Sequence, residues 1–537
     1  LGLTPDPTKL RGAQVATVTG SVESGARTAG RGGVAVLGAK LFFLVVGFAQ
    51  QPLLRLVVGL NGFGALAQAL ACSNVVNNVV VSSGMQGVSR ATAGAKGHER
   101  EVLRVALRVH APLAVAVAGA MAVVTPLYAH FERAPDVVAP LLVLAGVALL
   151  YGLYAPLIGY LNGRGRFGRQ ALLDVVFATL RTLGLIGVGY AFVKGGLSGV
   201  LGTTVGWLGA AAIIVPLAAR STGLGVPSMP GSRPAPGVPT AGAYLRVLAP
   251  IAGAQLCTNV LMQIDILLLG RFLSEGATST GMAAEAQRKA VEQWLAVYKE
   301  CQTFAFLPYQ LLFSITLVLF PLLARANAGG DGAAVRGHIA RGARLAAIFG
   351  GLLVAVVVAL PGSMLSFAYG AEDAAKGADV LRMMALAQGA FAMLGIATTV
   401  LTSLGRERMA ALITLGAVLA VGGACALLVP GATFGHDQLV RSALASGGAL
   451  LVALGTAAVL VRNRTGAFVP LATALRVGAA LAACVALGLV APRFGRMVTP
   501  LLAGAVAVGY LLVLVLMGEI GATDLAMVRG VVRRGER

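Results

Sequence analysis

The sequence predicts an all-α polytopic membrane protein with about 14 transmembrane helices. Three observations predict it. Of 537 residues, 57% are hydrophobic and only 12% are charged. An ordinary soluble domain carries about 25% charged residues. The apolar runs are long enough for a helix to cross the hydrocarbon core, whereas a β-barrel would show alternating segments of roughly 10 residues. The basic residues fall between alternate runs, as they do in a chain that crosses a bilayer back and forth. Too little polar residue is present to cover a soluble surface, so a water-soluble enzyme is excluded. Intrinsic disorder and a collagen are excluded on the same ground.

The runs lie near 33–57, 60–86, 105–130, 137–162, 171–193, 198–219, 245–270, 301–325, 345–369, 379–404, 409–430, 438–461, 467–491 and 498–518. The first follows a polar, Gly-rich stretch, 1–32, expected to be a disordered cytoplasmic tail. A basic segment, 87–104, ends the second. Pro126 and the charged sequence FERAPD at 131–136 part the third from the fourth. A Gly-Arg turn at 163–170 parts the fourth from the fifth, and Lys194 marks the next loop. Residues 221–240 hold five of the 22 prolines and read as a semi-rigid spacer. This gives a six-helix bundle over 33–219, a cytoplasmic linker over 220–244 and a second six-helix bundle over 245–461. Two additional helices occupy 467–518, and 519–537 is a basic cytoplasmic tail. Residues 271–300 form an external insertion in the second bundle.

With the N-terminus placed in the cytoplasm, the cytoplasmic segments hold 26 Lys and Arg and the opposite loops 9. Both termini and the 221–240 linker are therefore expected on the cytoplasmic side. The same split accounts for most of the net charge of +21 without a nucleic-acid partner. The five cysteines, Cys72, Cys257, Cys301, Cys425 and Cys484, have no metal or disulfide spacing and read as small hydrophobes. No HExxH, Walker A or GxSxG pattern occurs, and the five histidines lie in loops or near span ends. A transporter is expected, with no catalytic residues and no metal.

The two bundles show internal similarity. LNGRGRF at 161–167 follows the fourth span, and LTSLGRE at 401–407 follows the tenth. Both are Gly-Arg turns on the basic side. Six spans separate the repeats, so both begin on the same side of the membrane. They are then related by an axis along the membrane normal, with a substrate site expected between them.

Several of these segments resemble one known family. LLRLVVGLNGFGALAQA at 53–69 is similar to the end of the first span in polysaccharide flippases of the multidrug/oligosaccharidyl-lipid/polysaccharide exporter superfamily. There an Arg, a Gly and a Gly-Phe-Gly-like turn follow one another, here Arg55, Gly59 and Gly62-Phe63-Gly64. SSGMQGVSR at 82–90, GRGRFGRQALL at 163–173 and LGRERMAAL at 404–412 resemble further family segments. So do QIDILLLGRFL at 263–273 and FLPYQLLFSITLVLFPLLARA at 306–326. The resemblance covers most of 33–425. It implies two six-helix bundles around a central cavity, with two extra C-terminal spans in some branches, including lipid II flippases. The family usually has a short loop after the seventh span, and here 271–300 intervene. Their second part has an apolar stripe at Val291, Trp294, Leu295 and Tyr298. It reads either as a helical extension of the eighth span or as an external lid, and its Trp and Tyr would suit the membrane interface.

Seven basic residues lie inside spans: Lys40, Arg55, Arg108, Arg181, Arg382, Arg441 and Arg476. A charge at the bilayer centre costs at least ~2.5–3.5 kcal/mol. Snorkelling would account for Arg55, Arg108, Arg382 and Arg441 but fits Arg181, in mid-span, poorly. Asp265 is the only acid well inside a span, so the deep charges read as positive and not self-neutralised. Such a cavity suits a diphosphate. Neutral polar stripes accompany it. Asn74, Asn77, Asn78 and Ser82 share one helix face, and Gln255, Asn259 and Gln263 share another. They read either as contacts for sugar hydroxyls or as helix–helix glue.

These features predict a flippase of the bacterial inner membrane. It would carry a polyprenyl-diphosphate-linked saccharide, a polysaccharide or peptidoglycan precursor, to the outer leaflet by alternating access. Arg181, Lys40 and Arg55 would hold the diphosphate, and Asn74, Asn78, Asn259 and Gln263 the head group. Asp265 would pair with Arg55 or Arg271, or bind a coupling H⁺ or Na⁺; no other cofactor is expected. The expected partners are the lipid-linked anionic saccharide, membrane lipids, a polysaccharide polymerase and glycosyltransferases, with the chain itself a monomer. An ion-coupled multidrug antiporter of the same superfamily is the alternative, with Asp265 as its proton or sodium site. A membrane scaffold of envelope or spore-wall assembly is a third, disfavoured by Arg181 and the polar stripes.

Overall fold

A computed structural model describes residues 7–95, 97–223, 237–490, 495 and 497–521, with the backbone alone for 7–37 and for seven positions in 311–328. Most of the 220–244 linker and the tail beyond 521 lie outside the described residues. The elements are helices throughout. α1 runs Pro7–Gly94, α2 Glu99–Glu132, α3 Val138–Gly163, α4 Phe167–Lys194 and α5 Gly199–Thr222. After the linker come α6 Ala241–Thr278, α7 Ala284–Ala305, α8 Leu307–Ala328, α9 Gly332–Ala359 and the short α10 Pro361–Ala368. α11 Ala371–Ser403, α12 Glu407–Leu428, α13 His436–Thr465, α14 Leu471–Val490 and α15 Thr499–Leu516 complete the chain.

Among the described residues, 12 helices are long and apolar enough to cross a membrane. The first, Gly38–Gly94, has 57 residues, about 85 Å if straight, nearly three hydrocarbon thicknesses. It is not straight. Gly59 breaks it with φ 75° and ψ 176°, a conformation that a Cβ would strain. The chain reverses there. Lys40 on the first leg meets Asp174 at 3.1 Å. Ser89 on the second leg bonds Asn162 at 3.2 Å. Asp174 and Asn162 flank one turn, so both legs end on the same side. α7 and α8 together make a further crossing, from Lys289 beside Asn61 to the opposite end, where Arg336 on α9 touches Gly466. Counting both legs of α1 and the α7–α8 pair, the described residues make 14 passes of membrane length, the number that the hydrophobic runs predicted.

One expectation differs here. The backbone is helical from Pro7, where 1–32 was expected to be disordered. No proline interrupts 8–51, and extending an existing helix is far easier than nucleating one. The 271–300 stretch, read as a helical extension or an external lid, is mostly helical. α6 continues to Thr278 and α7 begins at Ala284. It is an extension of the eighth span, broken only at Phe306, where Pro308 removes a backbone donor.

The repeated turns have one conformation. Arg166 N donates to Leu161 O, and Arg406 N to Leu401 O, each at 2.9 Å. Gly165 and Gly405 both lie at positive φ, 68° and 74°. This is the helix-ending motif in which a left-handed glycine lets the chain bond back across the last turn. Apolar packing forms two clusters. One is built almost wholly from 54–248, and the other mainly from 261–514.

α14 and α15 attach to the second cluster through α9, with the Tyr510 hydroxyl donating to Ile348 O at 3.3 Å. Just past α15, the buried Glu519 carboxylate accepts from Thr473 at 2.7 Å, Arg344 at 2.7 Å and Arg476 at 2.9 Å. Burial alone would raise its pKa, but these donors outweigh it and hold it below the usual carboxylate value. Glu519→Gln should therefore lower the unfolding midpoint, at a cost of about 1–3 kcal/mol. A depressed folded-state pKa contributes stability above the unfolded value and loses it as pH falls through the folded one. The gap between wild type and variant should thus be constant near neutral pH and close below about pH 4. Thermal unfolding across pH checks this; a gap that persists under acid refutes it.

Candidate functional site

The basic loops gather at one end of the molecule and the charge-poor loops at the other. At the charge-poor end the first half, α1–α5, is locked to the second, α6–α13. Arg55 on α1 bridges two acids: Nε reaches Glu300 Oε1 on α7, and Nη2 reaches Asp373 Oδ2 on α11, both at 3.1 Å. The Glu300 side chain is 0% exposed and the Asp373 side chain 5%. Around them Asn61 donates to Lys289 O at 3.2 Å, and Arg288 pairs with Asp136. Arg271 donates to Phe131 O at 2.6 Å, and Ser274 to Glu132 O at 3.0 Å. Gly64 permits the closeness: a Cβ there would overlap the Glu292 carbonyl oxygen. The apolar stripe of α7 faces inward, not toward the membrane interface. Val291 and Leu295 are buried, and so is Tyr298.

Arg55 is therefore a latch between the halves and not a free cation for a diphosphate. Most other intramembrane cations also have acids. Lys40 pairs with Asp174, Arg382 with Asp379, Arg441 with Asp437 and Arg476 with Glu519. The expectation that the deep positive charges are not neutralised is corrected for these.

It holds for Arg181. This side chain projects from α4 into an aromatic cage, its guanidinium 4.8 Å from the Phe43 ring centroid and 5.5 Å from that of Trp207. The Tyr151 hydroxyl, which accepts from Trp207 Nε1 at 2.6 Å, completes the cage. The Arg181 Nε is buried without a hydrogen-bond partner, and so is the neighbouring Tyr154 hydroxyl. Cation–π contacts offset part of the desolvation of a guanidinium but supply no counter-charge. Lys40 lies on the same α1–α4 seam but is held by Asp174, about two helical turns from Arg181 along α4, and Arg55 lies apart from both.

Asp265 pairs with neither Arg55 nor Arg271. Arg271 bonds Glu275 at 2.6 Å instead. The Asp265 carboxylate, 6% exposed, accepts from Tyr298 Oη at 2.8 Å, from Ile266 N at 2.8 Å and from Gln302 Nε2 at 3.4 Å. Tyr298 in turn contacts Ser442 at 3.3 Å. Lys299 is a cation felt across space, outside ion-pair distance. Of the polar stripes, Asn259 and Gln263 are buried, and Asn259 donates to Gln255 O at 2.8 Å. Asn77 is buried and bonds Ser73 at 2.9 Å, which is a helix-stabilising contact. Asn74 is half-buried and Asn78 exposed. The sequence reading missed Glu300 and Asp373, because each sits where a span meets a loop and reads as an ordinary solvated charge.

A family model described as Polysaccharide biosynthesis protein matches residues 53–372. No curated protein matches by sequence. Among solved structures, the chain is similar to the lipid II flippase MurJ in an inward closed conformation. That match has 12% identity and a TM-score of 0.68, and covers 92% of this chain and 99% of that one. A multidrug resistance MATE family transporter of the MOP superfamily, inward-facing, is 15% identical with a TM-score of 0.60, covering 81% and 98%. A MOP superfamily transporter from Pyrococcus furiosus is 14% identical with a TM-score of 0.58, covering 82% and 96%. At these identities the likeness is one of fold.

Proposed function

This chain belongs to the polysaccharide biosynthesis protein family, with the fold of MOP superfamily exporters, and on that premise we propose that it flips a polyprenyl-diphosphate-linked saccharide across a bacterial inner membrane. The basic end is the cytoplasmic one, and both termini lie there. The observation that carries the reading is Arg181. A guanidinium with a buried, unsatisfied N–H and, among the described residues, no carboxylate at ion-pair distance is matched to an oxyanion that arrives and leaves. A carrier of cationic drugs would place a carboxylate there. The latched charge-poor end would open after the basic end has closed, which is alternating access about the seam between the halves. A polysaccharide polymerase and glycosyltransferases are the partners that such a product implies.

The test is a reconstituted flipping assay. Proteoliposomes are loaded with a fluorescent polyprenyl-diphosphate glycolipid or, in parallel, with a cationic dye. Selective movement of the glycolipid supports the reading, and dye efflux without glycolipid movement sinks it in favour of the multidrug antiporter.

Asp265 is the proposed coupling site. A buried carboxylate that is hydrogen-bonded but outside any ion pair can exchange H⁺ or Na⁺ without breaking a salt bridge. Asp265→Asn breaks no direct ion pair, and Lys299 keeps its bond to Gln302, so the variant should fold. Asn Oδ1 still accepts from Tyr298. It should retain glycolipid binding and lose most of the acceleration that an imposed proton or sodium gradient gives. Transport in proteoliposomes with and without each gradient decides it: an unchanged gradient response removes Asp265 from coupling.

A further inference from the structure

A cavity of about 170 Å³ lies within the second half, between α6, α8, α11 and α12. Five threonines line it: Thr258, Thr316, Thr398, Thr399 and Thr414. Four of these hydroxyls donate to their own helix. Thr258 donates to Ala254 O at 3.1 Å, Thr398 and Thr399 to Gly395 O at 3.1 and 2.8 Å, and Thr414 to Ala410 O at 3.0 Å. A hydroxyl has one proton and two lone pairs. With the proton committed to the helix, each of these oxygens offers the cavity acceptor capacity alone. The remaining wall is aromatic and apolar, with Tyr309 and Phe391 at 4.7 Å between ring centroids and an angle of 30°. No carboxylate, Lys or Arg is among the lining residues.

The ligand chemistry follows from that lining. A hydrocarbon would leave the oxygens unmatched. An anion would meet the lone pairs of four threonine oxygens whose protons are already committed, with Lys and Arg absent from the lining and the Tyr309 hydroxyl as its one aromatic donor. A metal or organic cation would find acceptors but no counter-charge. A neutral group rich in O–H and N–H donors, with an apolar C–H face, satisfies every wall at once. Threonine oxygens accept its protons, and the Tyr309–Phe391 pair takes its C–H face.

We propose that this cavity is a sugar subsite, which receives one ring of the saccharide while the diphosphate is held in the first half at Arg181. This deepens the flippase reading and rests on it. The Thr258, Thr398, Thr399 and Thr414 side chains set a preference for glycosylated over bare lipid diphosphate.

Binding of two probes to the full chain in detergent, followed by native mass spectrometry, tests it. One probe is undecaprenyl diphosphate and the other is undecaprenyl-diphosphate-linked N-acetylglucosamine. Wild type should bind the glycosylated lipid roughly tenfold more tightly, the scale of two neutral hydrogen bonds. Thr258→Val/Thr398→Val/Thr399→Val, which keeps shape and removes the oxygens, should bring the ratio to about one and leave affinity for the bare lipid unchanged. The corresponding Thr→Ser triple variant should keep the preference. Single Thr399→Val, with its unfolding midpoint measured alongside, should give a partial loss should the triple variant fold poorly. A Val triple variant that retains the wild-type preference overturns the subsite. Equal binding of both probes to wild type overturns it too, and leaves the flippase reading standing. Failure of wild type to bind either probe overturns both.

Discussion

Arg181→Leu should reduce glycolipid flipping by roughly ten- to hundredfold while leaving the fold as stable as wild type or more so. The first expectation follows from losing one or two charge-assisted hydrogen bonds to phosphate, at about 1.5–3 kcal/mol each. The second follows from the cage. Leu can pack against Phe43 and Trp207, which flank the present side chain, and it removes a buried N–H that has no partner. Replacing an uncompensated buried charge by a hydrophobe is often neutral or stabilising. A group that costs stability in the resting protein and is needed only when substrate arrives has this signature. Arg181→Lys should fall in between, because an ammonium keeps the charge but loses the planar fork that binds two phosphate oxygens. Flipping rates in proteoliposomes and thermal unfolding of the same preparations are the two readouts. A leucine variant that unfolds early and flips normally per folded molecule would make Arg181 a structural residue and sink its role in binding.

Arg55→Leu should open the charge-poor end. In wild type one guanidinium holds two carboxylates, Glu300 and Asp373, at 3.1 Å each. Without it, two acids that are nearly inaccessible to solvent face each other with no cation between them. Removing one partner of a buried ion pair costs about 3–5 kcal/mol. The halves can avoid that cost by parting, which solvates both acids. A shift of about 3 kcal/mol changes a two-state ratio by roughly a hundredfold. The distance between spin labels at Asn61 and Lys289, which now meet across the seam, should therefore lengthen and broaden. Adding Glu300→Gln and Asp373→Asn to Arg55→Leu should restore closure, since neutral amides need no counter-charge. Arg55→Lys should close only partly, because a single ammonium cannot reproduce separate contacts from Nε and Nη2. An unchanged distance distribution in Arg55→Leu would mean that the apolar contacts beneath the latch, such as Phe48 on Phe304 at 5.2 Å, suffice to hold the end shut.

The crossings, their alternation and the repeat were determined by local sequence. Hydrophobic run length fixes a transmembrane helix residue by residue, because lipid forces each backbone polar group to be satisfied within its own segment. Leu161–Phe167 and Leu401–Glu407 carry their turn in their own glycines. Arg181 could be singled out from sequence because a mid-span cation has no local explanation. Its aromatic cage could not be read there, since Phe43, Tyr151 and Trp207 come from three other spans. Partner choice is a long-range property, and tertiary structure alone decided it. Arg55 finds Glu300 and Asp373, 245 and 318 residues away, and Asp265 finds Tyr298 on the helical extension instead of an arginine. Charge and hydropathy along a chain say what a side chain needs, whereas the packing of helices far apart in sequence decides which neighbour supplies it. The threonine cavity is the same case: each Thr reads alone as a minor helix residue bonded to its own turn, and only four helices brought together turn those oxygens toward one space.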